Sequence, residues 1–411
     1  MNFIYQTVIF FYSLFLKIAS LFNKKAAQFV KGRQNWYNNL AAKVDAGSRY
    51  IWFHCASLGE FEQGRPLIEK IKKQFPEFRI LLTFFSPSGY EIRKNYELAD
   101  IVAYLPLDTR RNARKFISLV QPEKAFFIKY EYWYFFMDEL KKRGVPLYIV
   151  SAIFRENQQF FKKSFLGSWY RKILLKADHF FVQNENSARL LESIGHRNFT
   201  VSGDTRFDRV AALAKNVKNI PVVEKFKKDA PVLIAGSTWK PDEELLTEFI
   251  NNHSEMKLII APHEVTESNI NRIGQLLKKP HVRLSRADEK NVHQCQVLIV
   301  DSVGLLSSLY RYGTLAYLGG GFGVGIHNIL EAATFGLPVI FGPNYKKFKE
   351  AVDLINRGGA FSIQNYSELE NILLKMYGNS EQRLASGATS RKYVRKNIGS
   401  TELIIQKVFN D

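Results

Sequence analysis

From residue 50 onward, short and nearly continuous apolar runs alternate with longer stretches of helical spacing. The runs are "YIWFHC", "FRILLTFF", "IVAYL", "KAFFIK", "PLYIVSA", "HFFVQ" and "FTVSG". Strands buried on both faces have this pattern, because side chains pointing either way meet an apolar layer. Stretches such as 61–74 and 184–194 carry helical spacing, so repeated βαβ units around a parallel sheet are expected. A Lys-rich passage at 209–230 breaks the rhythm and is expected to be a linker. The rhythm then restarts with "PVLIAGS", "KLIIAP", "QVLIVDS", "TLAYLGGG" and "PVIFGP". The fold class expected is α/β: two doubly wound, Rossmann-like domains, 41–208 and 231–411, facing across a cleft supplied by loops from the strand carboxyl ends. The final helices, about 366–409, would belong with the second domain and pack back across the linker.

The first 40 residues follow a different pattern. "MNFIYQTVIFFYSLFLKIASLF" holds one charge, Lys17, and is followed by Lys24, Lys25, Lys31 and Arg33. About twenty helical residues span roughly 30 Å, enough for a bilayer core. No positive region precedes the apolar run, so a secretory signal is a poor fit. A membrane-associated segment is expected, spanning or lying in the interface, with a buried amphipathic helix as the alternative. The basic residues that follow would keep the main body cytoplasmic.

A chain of 411 residues exceeds one ordinary core, and a formal charge of +19 points to an anionic partner. Cys55 and Cys295, the only cysteines, each fall in an expected strand, which argues against a disulfide framework. No zinc spacing, H-E-x-x-H or D-x-D pair occurs, so a metal-independent reaction without a cofactor is favoured.

Candidate chemistry gathers where strands end. Ser57-Leu58-Gly59-Glu60 fits a capping box, yet it also puts a carboxylate at the end of the first strand, where the helix dipole favours the ionised form a base requires. Gly59 would let a ligand approach the backbone closely. "LGGGFGVGIHNILEAATFGLP" (318–338) places glycines between a strand and a helix whose free amides can bind phosphate. No G-x-G-x-x-G register or G-K-[ST] is present, which weakens the nicotinamide and P-loop readings. Asn328 and Glu331 share a helix face. Weaker singly are Glu131 in "IKYEYWYFF", Arg206 in "GDTRFD", His263 in "APHE", Gly304 in "DSVGLL", and Ser237 and Thr238, which suit helix caps. Their shared topological level gives them weight together.

In order along nearly the whole chain, "HCASLGEFEQGRPLI", "YLPLDTRRNARKFISLVQPEKAFFIKYEYW", "VSGDTRFD", "GSTW", "IIAPHE", "DSVGLLSSLY" and "GGGFGVGIHNILEAATFGLPVIFGP" resemble the 3-deoxy-D-manno-octulosonic acid (Kdo) transferases of lipopolysaccharide synthesis. The resemblance implies a GT-B architecture, CMP-Kdo as donor, a lipid A precursor (lipid IVA type) as acceptor, and inversion at the anomeric centre. It places the enzyme at the cytoplasmic side of the inner membrane. By the same resemblance Glu60 matches the S-x-G-E glutamate, the proposed base. Glu131 matches the second glutamate of E-T-E-L-W and Arg206 the lysine of G-N-x-K-F-D, both assigned to transition-state stabilisation. Pro262, His263, Val303, Gly304, Asn328, Ile329, Leu330 and Glu331 would line the CMP site. Lys129, His263, Leu305 and "GIHN" depart from the family pattern at donor and turn positions.

Two rivals use the same residues differently. A GT-B enzyme with a UDP-sugar donor is one, and a basic protein binding nucleic acid is the other. The second lacks any recognised nucleic-acid module, so no nucleic-acid partner is expected.

Overall fold

The computed structural model describes residues 2–410 and divides into two compact units, Met1–Arg209 with Gly399–Asp411, and Val210–Ile398. In the first unit seven parallel strands form one sheet: β1 (Arg49–Cys55), β2 (Phe78–Phe84), β3 (Ile101–Tyr104), β4 (Lys124–Ile128), β5 (Leu147–Ala152), β6 (His179–Val182) and β7 (Phe199–Val201). They lie in the order β3-β2-β1-β4-β5-β6-β7. Chain direction across the sheet reverses between β1 and β4, where Ile51 pairs with Ile80 on one side and Lys124 on the other. Loops after these two strands diverge and leave a crevice at their carboxyl ends.

Why β1 is apolar throughout is visible in its two faces. Tyr50 and Trp52 enter one core layer with Phe116, Phe127 and Phe136, while Ile51, Phe53 and Cys55 enter the other with Phe61, Leu67 and Ile68 of the helix Leu58–Gln74. All these side chains are buried. His54 continues the Trp52 face and is buried with it.

The second unit repeats the plan with β8 (Val232–Thr238), β9 (Lys257–Pro262), β10 (His281–Arg283), β11 (Val297–Ile299), β12 (Leu315–Leu318), β13 (Val339–Phe341) and β14 (Ala360–Ser362). Their order is β10-β11-β9-β8-β12-β13-β14, all parallel, with reversal between β8 and β12. Strands β10 and β14 were not expected from the sequence. They are three-residue edge strands, "HVR" and "AFS", too short to show an apolar run.

Several boundaries differ from the sequence reading. The passage 209–230 is not an open linker: it holds most of the helix Arg206–Lys215 and all of Pro221–Lys227, whose Val223 and Phe226 are buried. The last helix, Ser400–Phe409, belongs to the first unit rather than to 231–411. Its Ile404, Ile405 and Val408 join the β1 core layer, Phe409 stacks on Phe75 at 4.4 Å, and Asp208 accepts the backbone N–H of Gly399 and Thr401 at its start. Cys295 lies between a 3-10 turn and β11, not within a strand.

The N-terminal helix Asn2–Ala19 is long and apolar enough to cross a membrane, yet one side packs on the first unit. Tyr5 sits among Tyr134, Phe135 and Trp169, and its hydroxyl donates to Asp108 at 2.7 Å. Phe3, Phe10, Phe11 and Phe15 remain exposed, as do Leu21 and Phe22 beyond the helix.

Candidate functional site

The crevice between β1 and β4 brings Glu60 and Glu131 together. Glu60 is the third residue of its helix, where its side chain reaches back to the open backbone: Oε2 accepts the Ala56 N–H at 2.5 Å, and the Ser57 amide also supports the carboxylate. Ser57 makes no side-chain cap, so the expected reciprocal box is half formed. At Gly59 a Cβ would meet nothing closer than the Ser57 hydroxyl at 3.9 Å, leaving open space beside the carboxylate.

Burial opposes the helix dipole that favours an ionised Glu60. Burial raises its pKa to about 7, the Glu131 charge adds to the rise, and the Ala56 and Ser57 amides with Lys129 only partly offset it. A carboxyl whose proton affinity lies near neutrality suits the work of a general base.

Glu131 leaves β4 through a tight turn in which Lys129 holds φ +68°, a conformation disfavoured for a side chain with a Cβ and found where surrounding contacts enforce it. Glu131 is buried; its Oε2 accepts the Trp133 indole N–H at 2.7 Å and lies 3.0 Å from His54 Nε2. The helix that follows, Tyr134–Lys142, is fixed by Asp108, which accepts the amides of Phe135 and Phe136 at 3.1 Å. Burial pushes the Asp108 carboxyl up to about 6 against these bonds.

Arg206 joins the same unit from the loop after β7. Asp204 is buried and binds the Arg206 Nε at 2.9 Å, Nη2 at 2.8 Å and backbone N–H at 2.9 Å. Burial alone would raise the Asp204 carboxyl, but Arg206 and Gln63 hold it below its usual range. Gln63 donates to Asp204 at 3.1 Å and its carbonyl accepts the Thr205 hydroxyl at 2.6 Å, which ties this loop to the helix one turn beyond Glu60. Tyr130 senses both Glu60 and Arg206 through space.

In the second unit the candidate residues also fall at strand carboxyl ends. Pro262 ends β9 and His263 follows it, exposed Val303 and Gly304 (φ +91°) follow β11, and Asn328 caps the helix Ile329–Thr334 after β12. Asn328 Oδ1 accepts the Leu330 amide at 3.2 Å and its Nδ2 donates to Glu331 at 3.2 Å. Ile329 and Leu330 turn their side chains into the core, so only their backbone can meet a ligand.

Two sequence expectations change here. Ser237 and Thr238 are not helix caps: Ser237 and Thr238 still belong to β8, and Thr238 donates to Glu243 at 3.1 Å. The glycine run mainly permits close backbone packing, since a Cβ on Gly319 would lie 2.2 Å from the Ser237 carbonyl and one on Gly321 would strike Gly342. Asp242 organises this crevice, accepting from Trp239 N and Gly320 N at 2.9 Å and from the Tyr317 hydroxyl at 2.8 Å.

Residues not singled out from the sequence complete the picture. Trp239 stacks on His263 with ring centroids 4.5 Å apart, and His263 lies 4.6 Å from His327, which burial and His263 hold neutral with a pKa of about 4. In the first unit they are His54, Thr83 and Trp133. Thr83 had a readable signal, a hydroxyl inside the apolar run "ILLTFF", because a buried polar group requires a partner.

Residues 28–209 match the family model described as 3-Deoxy-D-manno-octulosonic-acid transferase (kdotransferase). The chain is 24% identical over 408 residues to 3-deoxy-D-manno-octulosonic acid transferase of Haemophilus influenzae, covering 95% of this chain and 93% of that protein. Among solved structures, UDP-GlcNAc 2-epimerase of Neisseria meningitidis bound to UDP-GlcNAc is similar with a TM-score of 0.62 at 13% identity, over 88% of this chain and 100% of the other. MurG of Acinetobacter baumannii is similar with a TM-score of 0.54 at 11% identity, over 88% and 100%. These two likenesses establish the two-unit GT-B fold.

Proposed function

We propose that this chain is a member of the 3-deoxy-D-manno-octulosonic acid transferase family, whose model its residues 28–209 match, and that it moves Kdo from CMP-Kdo to a hydroxyl of a lipid A precursor of the lipid IVA type, with inversion, at the cytoplasmic side of the inner membrane. The observation that carries this reading is Glu60, a carboxylate at the end of β1 whose pKa burial and the neighbouring Glu131 raise to about 7.

In the reaction, the acceptor O–H proton passes to Glu60 while the oxygen bonds to the anomeric carbon. The bond from that carbon to the phosphate oxygen breaks and CMP departs as an anion. Positive charge develops on the sugar ring, where Glu131 would stabilise it, and negative charge on the phosphate, which suits the Arg206 guanidinium. Glu60 then returns its proton to solvent. The strand-end loops of the second unit, with the Trp239–His263 stack beside His327, suit a donor carrying a planar base.

Mass spectrometry of a lipid A precursor incubated with fresh CMP-Kdo in detergent tests this function; the expected result is a gain of Kdo mass. No gain from folded protein, with transfer from a UDP-sugar instead, would overturn the donor. A base must be unprotonated, so kcat/KM is expected to rise through about pH 7 and level above it. A flat profile across that range would remove Glu60 from the role.

The exposed apolar side of Asn2–Ala19, followed by Lys24, Lys25 and Lys31, supports an interfacial anchor on an anionic leaflet. Paired Phe10→Ser and Phe11→Ser are expected to release the protein from anionic vesicles in flotation, with little effect on melting. Undiminished flotation would count against the anchor.

A further inference from the structure

His54 is fully buried at the end of β1, and every polar atom of its ring is engaged. Its Nδ1 lies 2.9 Å from the Thr83 hydroxyl and its Nε2 3.0 Å from Glu131 Oε2. Trp52 Nε1 donates to the same Thr83 oxygen at 2.8 Å, and Trp133 Nε1 faces both Glu131 Oε2 at 2.7 Å and His54 Nε2 at 3.0 Å; its proton goes to the shorter, anionic partner when Nε2 is itself a donor. An ionised carboxylate offers only lone pairs, so Nε2 must carry a proton when it faces one. Thr83 accommodates that requirement. Its hydroxyl proton can point to Nδ1 of a neutral ring, or to the Phe53 carbonyl 3.3 Å away when the ring is cationic.

We propose that His54 is a positioning residue of the transfer site: its Nε2–H holds Glu131 as an anion in a fixed rotamer beside Glu60, and Thr83 selects the tautomer that makes this possible. The inference rests on the reading of Glu60 and Glu131 as the centre of transfer, and goes beyond it by naming what holds the second carboxylate.

Removing the Nε2–H leaves a buried carboxylate with one donor fewer, which favours its protonated form. Glu60 would then lose a neighbouring negative charge that keeps its own proton affinity high. The groups that bear on this pair are His54 and Cys55 from β1, Glu60 from the following helix, and Lys129, Tyr130 and Tyr132 from the Glu131 turn. Glu62 faces Cys55, and Arg155, Asp204 and Arg206 face Tyr130. His54 meets the Glu131 carboxylate directly, at 3.0 Å, through a ring nitrogen that can donate in either charge state.

The test uses the full chain in detergent with His54→Leu, His54→Gln and Thr83→Val. For His54→Leu, kcat is expected to fall roughly 10- to 100-fold with KM for the donor little changed. The rising limb of its pH profile should move down by about one unit. His54→Gln, whose amide nitrogen reaches toward the same oxygen, should return the limb to its wild-type position and recover most of the rate. Thr83→Val should resemble a weaker His54→Leu. A loss of rate in His54→Leu with an unmoved limb would mean a packing role alone and would overturn the proposal.

A readout without substrate separates this inference from the transfer reading. Side-chain carboxyl ¹³C NMR of labelled glutamate, with the Glu131 signal assigned through Glu131→Gln, is expected to show a carboxylate at neutral pH in the wild type and an upward-shifted titration in His54→Leu. Identical Glu131 titrations would sink the inference even if Kdo transfer is found. A wild type without transfer but with the shifted titration would sink the transfer reading and leave the role of His54 standing.

Discussion

Glu60→Gln is expected to lower Kdo transfer by about 10³-fold, within the range that loss of a general base produces, while leaving donor binding unchanged. The same substitution should make the chain more stable at alkaline pH. The folded carboxyl has a pKa of about 7 against an ordinary 4.5. Below about pH 4.5 both folded and unfolded forms are protonated and the group contributes nothing. As pH rises from there to about 7 the unfolded chain loses its proton first, so the folded state is progressively disfavoured, by up to about 3 kcal/mol. Glutamine has no charge to bury, and its Oε1 can still accept the Ala56 amide. Urea unfolding should therefore show Glu60→Gln exceeding the wild type at pH 8 and matching it at pH 4. Normal turnover in this variant would end the base assignment, and equal stability at pH 8 would show that the carboxylate is not desolvated.

Arg206→Ala is the second large effect. Asp204 is 5% exposed and three of its bonds go to Arg206, two from the guanidinium and one from the backbone N–H, so truncation leaves a nearly buried anion held by the residue-206 amide and Gln63 among its described partners. Breaking a buried pair in this way costs about 3 kcal/mol. Transfer should fall about 100-fold as well, if the guanidinium stabilises the leaving phosphate. Arg206→Lys keeps the charge without the two-pronged contact, and should regain part of both. Calorimetry beside the mass assay distinguishes the contributions: Asp204→Asn should lower stability and spare more of the rate than Arg206→Ala does. Equal rates in wild type and Arg206→Ala would remove Arg206 from the chemistry.

Both effects depend on features that the chain reveals unequally. Apolar runs identified every central strand, since a parallel strand covered on both faces cannot accommodate polar side chains at either parity: Tyr50 and Trp52 meet one layer, Ile51 and Phe53 the other. Edge strands β10 and β14 escaped because three residues at a sheet edge need little burial. The last helix joined the first unit because Ile404, Ile405 and Val408 complete the layer over β1, a match invisible along the chain.

At the site, Glu60, Glu131 and Arg206 were legible through local motifs and their resemblance to a family. Their sequence positions set which functional groups stand at the ends of β1, β4 and β7. The proton affinity of Glu60 was not legible, because it arises from burial and from a carboxylate 71 positions away in sequence. Likewise His54 appeared as one polar residue closing an apolar strand, and only pairing of β1 with β2 and β4 set its two nitrogens against Thr83 and Glu131. By itself the sequence determined the strand order's raw material, the basic and apolar character of the first 33 residues, and the identity of the reactive groups. Tertiary structure decided their protonation and orientation, since both depend on which distant charges, donors and solvent each group meets after folding.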